Sequence, residues 1–213
     1  MKYSHSKRCF DLLVSLCASL ILWPMIVLIA LVVLIGDGWP LIYTQKRAGF
    51  KGKAFTLYKF RTMKPVSGDV EGDNDALRIT SLGYWLRQTS LDELPQLWNV
   101  IRGDMSLVGP RPLPMTYVDR YSYEQKQRLM AMPGITGWAQ INGRNTLSWN
   151  EKFILDTWYV KHVSFWLDVK ILFLTVLRVM QRKGIMHDSA EPDTTMPEFL
   201  GEKVQPNHKN VED

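Results

Sequence analysis

The sequence predicts a membrane-associated α+β protein, mostly helical, and three observations carry that expectation. Leu12 to Ile35 is a run of 24 residues without a charge, with Pro24 near its middle. Two short stretches after Gly36 alternate apolar and polar residues, as half-buried strands do. Later segments repeat apolar residues at helical spacing, the last with Lys and Arg along its edge.

As a helix the uncharged run would be about 36 Å long, enough to cross a hydrocarbon core of roughly 30 Å. It is too long for the apolar region of a cleaved signal peptide and no small-x-small site follows, so it reads as retained. The stretches "LIYTQKRAG" and "AFTLYKFRTM", with a Gly/Lys turn between them, predict a small β-hairpin. Lys64 to Asp75 is rich in Gly, Asp and Ser and reads as an exposed loop; Asn74 stands where an EF-hand needs Gly. Helices are expected over Ile79–Arg87, Leu94–Ile101, Val118–Met130, Ser148–Val160 and Leu167–Lys183. In the last of these, Lys170, Arg178, Arg182 and Lys183 border a broad apolar face, the pattern of a helix lying in a membrane interface, although periodicity equally allows a core helix with a solvated edge. Eight tryptophans, among them Trp23, Trp39, Trp158 and Trp166, favour the interface. The expected division is an anchor over 1–36, a catalytic domain over 37–185 and a polar tail over 186–213.

Net charge +5 and a pI near 9.2 suit nucleic acid, an anionic membrane or a phosphorylated substrate, and the apolar run favours membrane lipids over nucleic acid. With only Cys9 and Cys17, a disulfide framework or paired-cysteine metal site is excluded. His5, His162, His187 and His208 have no metal-binding spacing, and "GFKGKA" at 49–54 lacks the spacing and the Ser/Thr of a P-loop.

The densest run of unusual residues is "LRQTSLDELPQLWNVIRGDMSLVGPRPLP", Leu86 to Pro114. Ser90 to Glu93 matches a helix capping box, the structural reading of its acids. Pro95 argues against it: with Ser90 as cap, its ring would clash with the Leu91 carbonyl, whereas a helix beginning at Asp92 or Glu93 holds Pro95 in its first turn. A carboxylate there stays ionised and sits where a ligand phosphate is also attracted. Two carboxylates with Lys59, Arg61, Arg87 and Arg111 nearby are what phosphoryl transfer asks for: an attacking oxygen, a divalent cation and positive groups to balance charge. Arg111 lies between Pro110 and Pro112, which restrict its backbone; the same prolines could instead be a polyproline ligand. In "MPGITGWAQINGRN", Gly134, Gly137 and Gly143 permit close backbone approach, and Gln140, Asn142, Arg144 and Asn145 supply donors.

"KRCFD" at 7–11, "YKFRTM" at 58–63, "SLDELPQLWNVIRGDMSLVGPRP" at 90–112 and "PGITGWAQINGRN" at 133–145 together resemble the monotopic phosphoglycosyl transferases, the bacterial sugar transferase family, in its minimal form. The resemblance implies transfer of a sugar phosphate from a UDP-sugar to polyprenyl (undecaprenyl) phosphate with release of UMP, the first membrane step of a bacterial glycan pathway. It implies Asp92 as the nucleophile forming a phosphosugar-aspartyl intermediate with Mg2+ beside it, Glu93 as its assistant, and Lys59, Arg61 and Arg111 gripping phosphate. Arg87, Gln140, Arg144 and Asn145 are the further substrate-binding candidates, and Asp156 and Asp168 also match the family's acids. The expected sugar is an N-acetylated or diacetamido hexose, with a galactose-type hexose behind. A membrane-tethered interaction protein and a direct glycosyltransferase releasing UDP are the competing readings.

Basic residues flank the apolar run on both sides, Lys2, Lys7 and Arg8 before it and Lys46, Arg47, Lys51 and Lys53 after it, so the positive-inside rule asks for both ends in the cytoplasm. The resemblance implies a re-entrant helix-hairpin broken at Pro24, with arms of about 18 Å, at the cytosolic face of the bacterial inner membrane. The family's usual Ser before that proline is Trp23 here, and Trp cannot bond back to the preceding turn to deepen a kink.

Overall fold

The computed structural model describes residues 5–65, 78–143, 146–181 and 199–201. It is mostly helical, with two small two-stranded sheets. The first element, α1 (His5–Asp37), runs through Pro24 as one continuous α-helix, which corrects the expected pair of arms with a break. Proline removes the hydrogen bond to the carbonyl four residues earlier and its ring crowds that carbonyl, but a long helix held along its length can carry that local cost.

Its N-terminal turns are tied down by the "KRCFD" residues. Lys7 is ion-paired with Asp168 and donates to the Val108 carbonyl, and Arg8 donates to the Val100 and Ile101 carbonyls. Fully buried Asp11 accepts from the Ser106 hydroxyl at 2.8 Å and the Leu107 N–H at 3.3 Å. At the far end the Asp37 carboxylate accepts from the Thr80 hydroxyl at 2.9 Å, and the carbonyls of Asp37, Gly38 and Trp39 all accept from the Arg61 guanidinium. Between these ends Phe10, Val14 and Ala18 pack on one apolar cluster, and Ile29 and Val33 lie buried in another. The opposite face, including Leu20, Ile21, Leu28 and Ile35, is uncovered, and the helix is long and apolar enough to cross a membrane.

The expected hairpin is β1 (Ile42–Ala48) against β2 (Ala54–Phe60), antiparallel, with Ile42 opposite Phe60 and Ala48 opposite Ala54. Lys64 is described, but the rest of the expected loop lies almost entirely outside the described residues. Helix α2 (Ser81–Thr89) starts at a Thr80 cap, whose hydroxyl accepts from the Gly83 N–H. Helix α3 (Gln96–Arg102) precedes β3 (Ser106–Val108), which pairs in parallel with β4 (Gly134–Thr136). A Cβ at Gly109 would fall on the Met132 carbonyl, and one at Gly134 on the Gly109 amide, so these glycines let two loops cross backbone to backbone.

The single helix expected over Val118–Met130 is three pieces: a 3₁₀ turn at Met115–Arg120, α4 (Tyr123–Lys126) and a second 3₁₀ turn at Gln127–Met130. Tyr121 is extended, and Ser122 forms a capping box with Gln125 that starts a new helix there. Helix α5 (Trp138–Asn142) is short, and α6 (Trp149–His162) begins at a second capping box, Ser148 with Glu151. Helix α7 (Phe165–Gln181) buries Ile171 and Asp168 yet exposes Phe165, Trp166, Phe173 and Val176. An exposed apolar face is what the interfacial reading expects, not the core helix.

Most of the expected tail lies outside the described residues, but Phe199 is an exception to its polar character. It is buried among Tyr117, Tyr121, Trp149 and Phe153, with its carbonyl accepting from Arg120 at 2.6 Å and its N–H donating to the Tyr117 hydroxyl.

Candidate active site

The acids occupy a corner made by backbone geometry. Ser90 is left-handed at φ 57° and its N–H closes the end of α2, while its side chain caps nothing, so the capping-box reading does not hold. Asp92 and Glu93 sit on a 3₁₀ turn, Leu91–Glu93, and α3 begins only at Gln96 with Pro95 in the cap position. The helix therefore starts one turn later than expected, with the acids just ahead of it. They face a cavity of about 1300 Å³ bounded by β1, β2, α2 and α3, by the Pro110–Pro112 loop, and by parts of α1, α5, α6 and α7.

The two carboxylates are not equivalent. One oxygen of Glu93 takes both available cations, Lys59 Nζ at 2.7 Å and Arg111 Nη2 at 3.1 Å. Asp92, only 6% exposed, meets Lys59 at 3.5 Å. Burial acts to raise the Glu93 carboxyl, but Lys59 and Arg111 together outweigh it and hold the group down at about 2. For Asp92 burial wins over the more distant Lys59, and the negative Glu93 pushes the same way, so its pKa is raised. The adjacent pair thus divides into a locked, anionic Glu93 and an Asp92 whose negative charge is costly and open to the cavity.

Around the pair, Lys59 comes from β2, and Arg87 from α2 is steadied by donating its Nε–H to the Thr62 hydroxyl at 3.0 Å. Arg111 is about half exposed, but its backbone is fixed: its carbonyl accepts from Arg128, whose guanidinium is itself ion-paired with buried Asp156 at 2.7 Å. Asp156 therefore reaches the site through Arg128 and Arg111. Pro110 and Pro112 are buried, so they are not presented as a polyproline ligand. Gln140 borders the cavity with both side-chain polar atoms buried and, among the described residues, without a hydrogen-bond partner.

Other expected residues are elsewhere. Arg61 touches the cavity wall, but both its terminal nitrogens donate to the end of α1. Asp168 is a structural anchor, holding Lys7 and accepting from the Tyr159 hydroxyl at 2.7 Å. Arg144 and Asn145 lie outside the described residues. Trp23 is exposed on α1 beside Pro24. Sequence reasoning missed Arg47, Arg128 and Lys152, all on the cavity wall. Arg47 was hidden in a strand as one of several alternating polar residues; Lys152 and Arg128 looked like ordinary helix surface charges, although Lys152 lies one turn from Asp156.

A cavity that places several cations around two adjacent carboxylates suits a protein that handles phosphate esters. Comparison with known proteins says which: residues 2–182 match the bacterial sugar transferase family, and the chain belongs to it. It is 49% identical over 194 residues to an uncharacterized sugar transferase, EpsL, of Bacillus subtilis, covering 87% of this chain and 94% of the relative. It is 41% identical over 196 residues to the undecaprenyl-phosphate galactose phosphotransferase of Salmonella typhimurium, and 40% over 191 residues to the UDP-glucose:undecaprenyl-phosphate glucose-1-phosphate transferase of Escherichia coli. Those two matches each cover 84% of this chain but 41% of the relative, so the chain spans about two-fifths of the length of these relatives with named activities.

Proposed function

We propose that this chain transfers a sugar phosphate from a UDP-sugar to undecaprenyl phosphate and releases UMP, working at the cytosolic face of the bacterial inner membrane. The observation that carries the reading is the asymmetry of the acid pair: Glu93 engaged by Lys59 and Arg111, Asp92 buried yet open to the cavity. An Asp92 oxygen attacks the sugar-bearing phosphorus, the phosphorus–oxygen bond to UMP breaks, and UMP leaves with the electron pair. An oxygen of undecaprenyl phosphate then attacks the same phosphorus and displaces the Asp92 carboxylate. Lys59, Arg87 and Arg111 lower the cost of an ionised Asp92 and balance charge on the transferring group. Mg2+ is a hard cation commonly held by one carboxylate and substrate phosphates, and Asp92, which lines the cavity, would hold it beside the donor diphosphate. When bound, it would neutralise charge on that diphosphate.

The relatives' names cite galactose and glucose, so UDP-galactose and UDP-glucose belong beside the N-acetylated sugars in a substrate screen. UMP should be released at catalytic turnover only when UDP-sugar, undecaprenyl phosphate and Mg2+ are all present; without the lipid, at most one UMP per protein should appear. Release of UDP instead would identify direct glycosyl transfer and overturn the mechanism. The interaction-protein reading predicts no stabilisation by UDP, whereas a donor-binding enzyme is stabilised by linkage.

A further inference from the structure

We propose that Arg47, Arg111 and Lys152 form the seat for the diphosphate of the nucleoside diphosphate donor, on the cavity wall that stands over the Phe199 aromatic cluster. The inference rests on the donor reading above and adds two residues to which that reading gives no role.

Three elements converge to make the seat. Arg47 lies near the end of β1, opposite Phe55, and its backbone bridges to Pro114, which brings the strand alongside the Pro-Arg-Pro loop. Its Nη1 reaches the Pro112 carbonyl only at 3.4 Å, and its Nε is buried without a hydrogen-bond partner among the described residues. A guanidinium carries five N–H donors, and a buried orphan among them is costly unless a ligand arrives to accept it. Arg111 stands three residues before Pro114, the loop residue that pairs with Arg47, and its carbonyl is fixed by Arg128. Lys152 projects from the first turns of α6 with its ammonium 5.2 Å from the centre of the Trp149 ring.

The cations also bear on one another. Arg47 is drawn down to about 10 by burial and then by Arg111, and Lys152 to about 8 by the same two causes, against a smaller opposing pull from Asp156. Desolvated positive groups at close quarters are what a doubly charged anion would relieve.

Two features assign the seat to the donor instead of the lipid acceptor. Ala48, Leu113, Trp149 and Phe153, which neighbour these cations, belong to the aromatic cluster that does not include α1. The lipid-facing side is different: Leu22 and Met25 of α1 and Val176 and Val179 of α7 line the cavity there, an apolar wall suited to a polyprenyl chain.

The test uses the full chain in detergent, with calorimetric titration of UDP and steady-state kinetics varying each substrate in turn. Arg47→Gln and Lys152→Gln should each weaken UDP binding about tenfold or more, the loss expected for a charged hydrogen bond. Each should raise KM for the UDP-sugar in proportion while leaving KM for undecaprenyl phosphate within about twofold, and Lys152→Arg should restore most of the loss. Should Arg47→Gln fail to fold, Lys152→Gln on the α6 surface carries the test alone. Unchanged UDP affinity in a folded variant overturns the seat, as does a rise confined to the KM of undecaprenyl phosphate. Weakened UDP binding in the variants supports it whether or not UMP is released, which separates its failure from that of the transferase reading.

Discussion

Asp92 and Glu93 are chemically alike and adjacent, and the cations set them apart. The folded protein holds a proton on Asp92 more tightly than the unfolded chain does, so this group's contribution to stability falls as pH rises from the ordinary 3.8 through its raised folded value. Ionising the carboxylate in the folded protein is therefore a cost. Asp92→Asn should cut turnover by at least about a thousandfold and at the same time raise the thermal unfolding midpoint at pH 7; a variant with normal UMP release would refute the nucleophile. Glu93 has the opposite sign. Its folded pKa of about 2 lies below the ordinary 4.5, so its stabilisation is complete above 4.5 and is lost as pH falls from there toward 2. Across that acid range the unfolding midpoint of Glu93→Gln should fall less steeply with pH than that of the wild type.

At the scale of elements, the site depends on an ion pair between two of them. The Arg128–Asp156 pair joins the second 3₁₀ turn of the α4 region to α6 and holds the Arg111 carbonyl. Asp156→Asn would leave a buried guanidinium without its counter-charge, a loss of about 3 kcal/mol, and should raise KM for the UDP-sugar by loosening Arg111; a thermal melt and donor saturation curves check both. Phe199→Ala empties the centre of the aromatic cluster behind α6 and should cost about 3 kcal/mol, read in the same melt. Neither contact was legible in the sequence. The hairpin was, because alternation over seven residues a strand is a strong local signal, and so were α2, α3, α6 and α7. The β3–β4 pair was not, since three-residue strands give no period and their partnership spans 28 positions from Ser106 to Gly134. The acids and Arg111 stood out through the prolines beside them. Arg47 and Lys152 did not, because only the fold brings a strand end, a loop and a helix turn together.

The whole molecule constrains its own topology. As a straight rod α1, at 33 residues, would be about 50 Å long, more than a hydrocarbon core needs, and a simple span would carry its two ends to opposite faces. Yet both ends are bonded to the same body, Lys7, Arg8 and Asp11 to β3, α3 and α7 at one end, Asp37 to Thr80 and Arg61 at the other. Asp11 is fully buried, and withdrawing it from Ser106 and Leu107 would strand a charge and two donors. A spanning helix would have to give up one of these two sets of bonds. A helix that enters the membrane from one side keeps both, and it also satisfies the basic residues that flank it at each end. Tags placed at Met1 and at Asp213 should therefore react with an impermeant reagent from the same side, inaccessible in intact cells and reactive in inverted membrane vesicles. Reaction of the two tags from opposite sides would refute this topology.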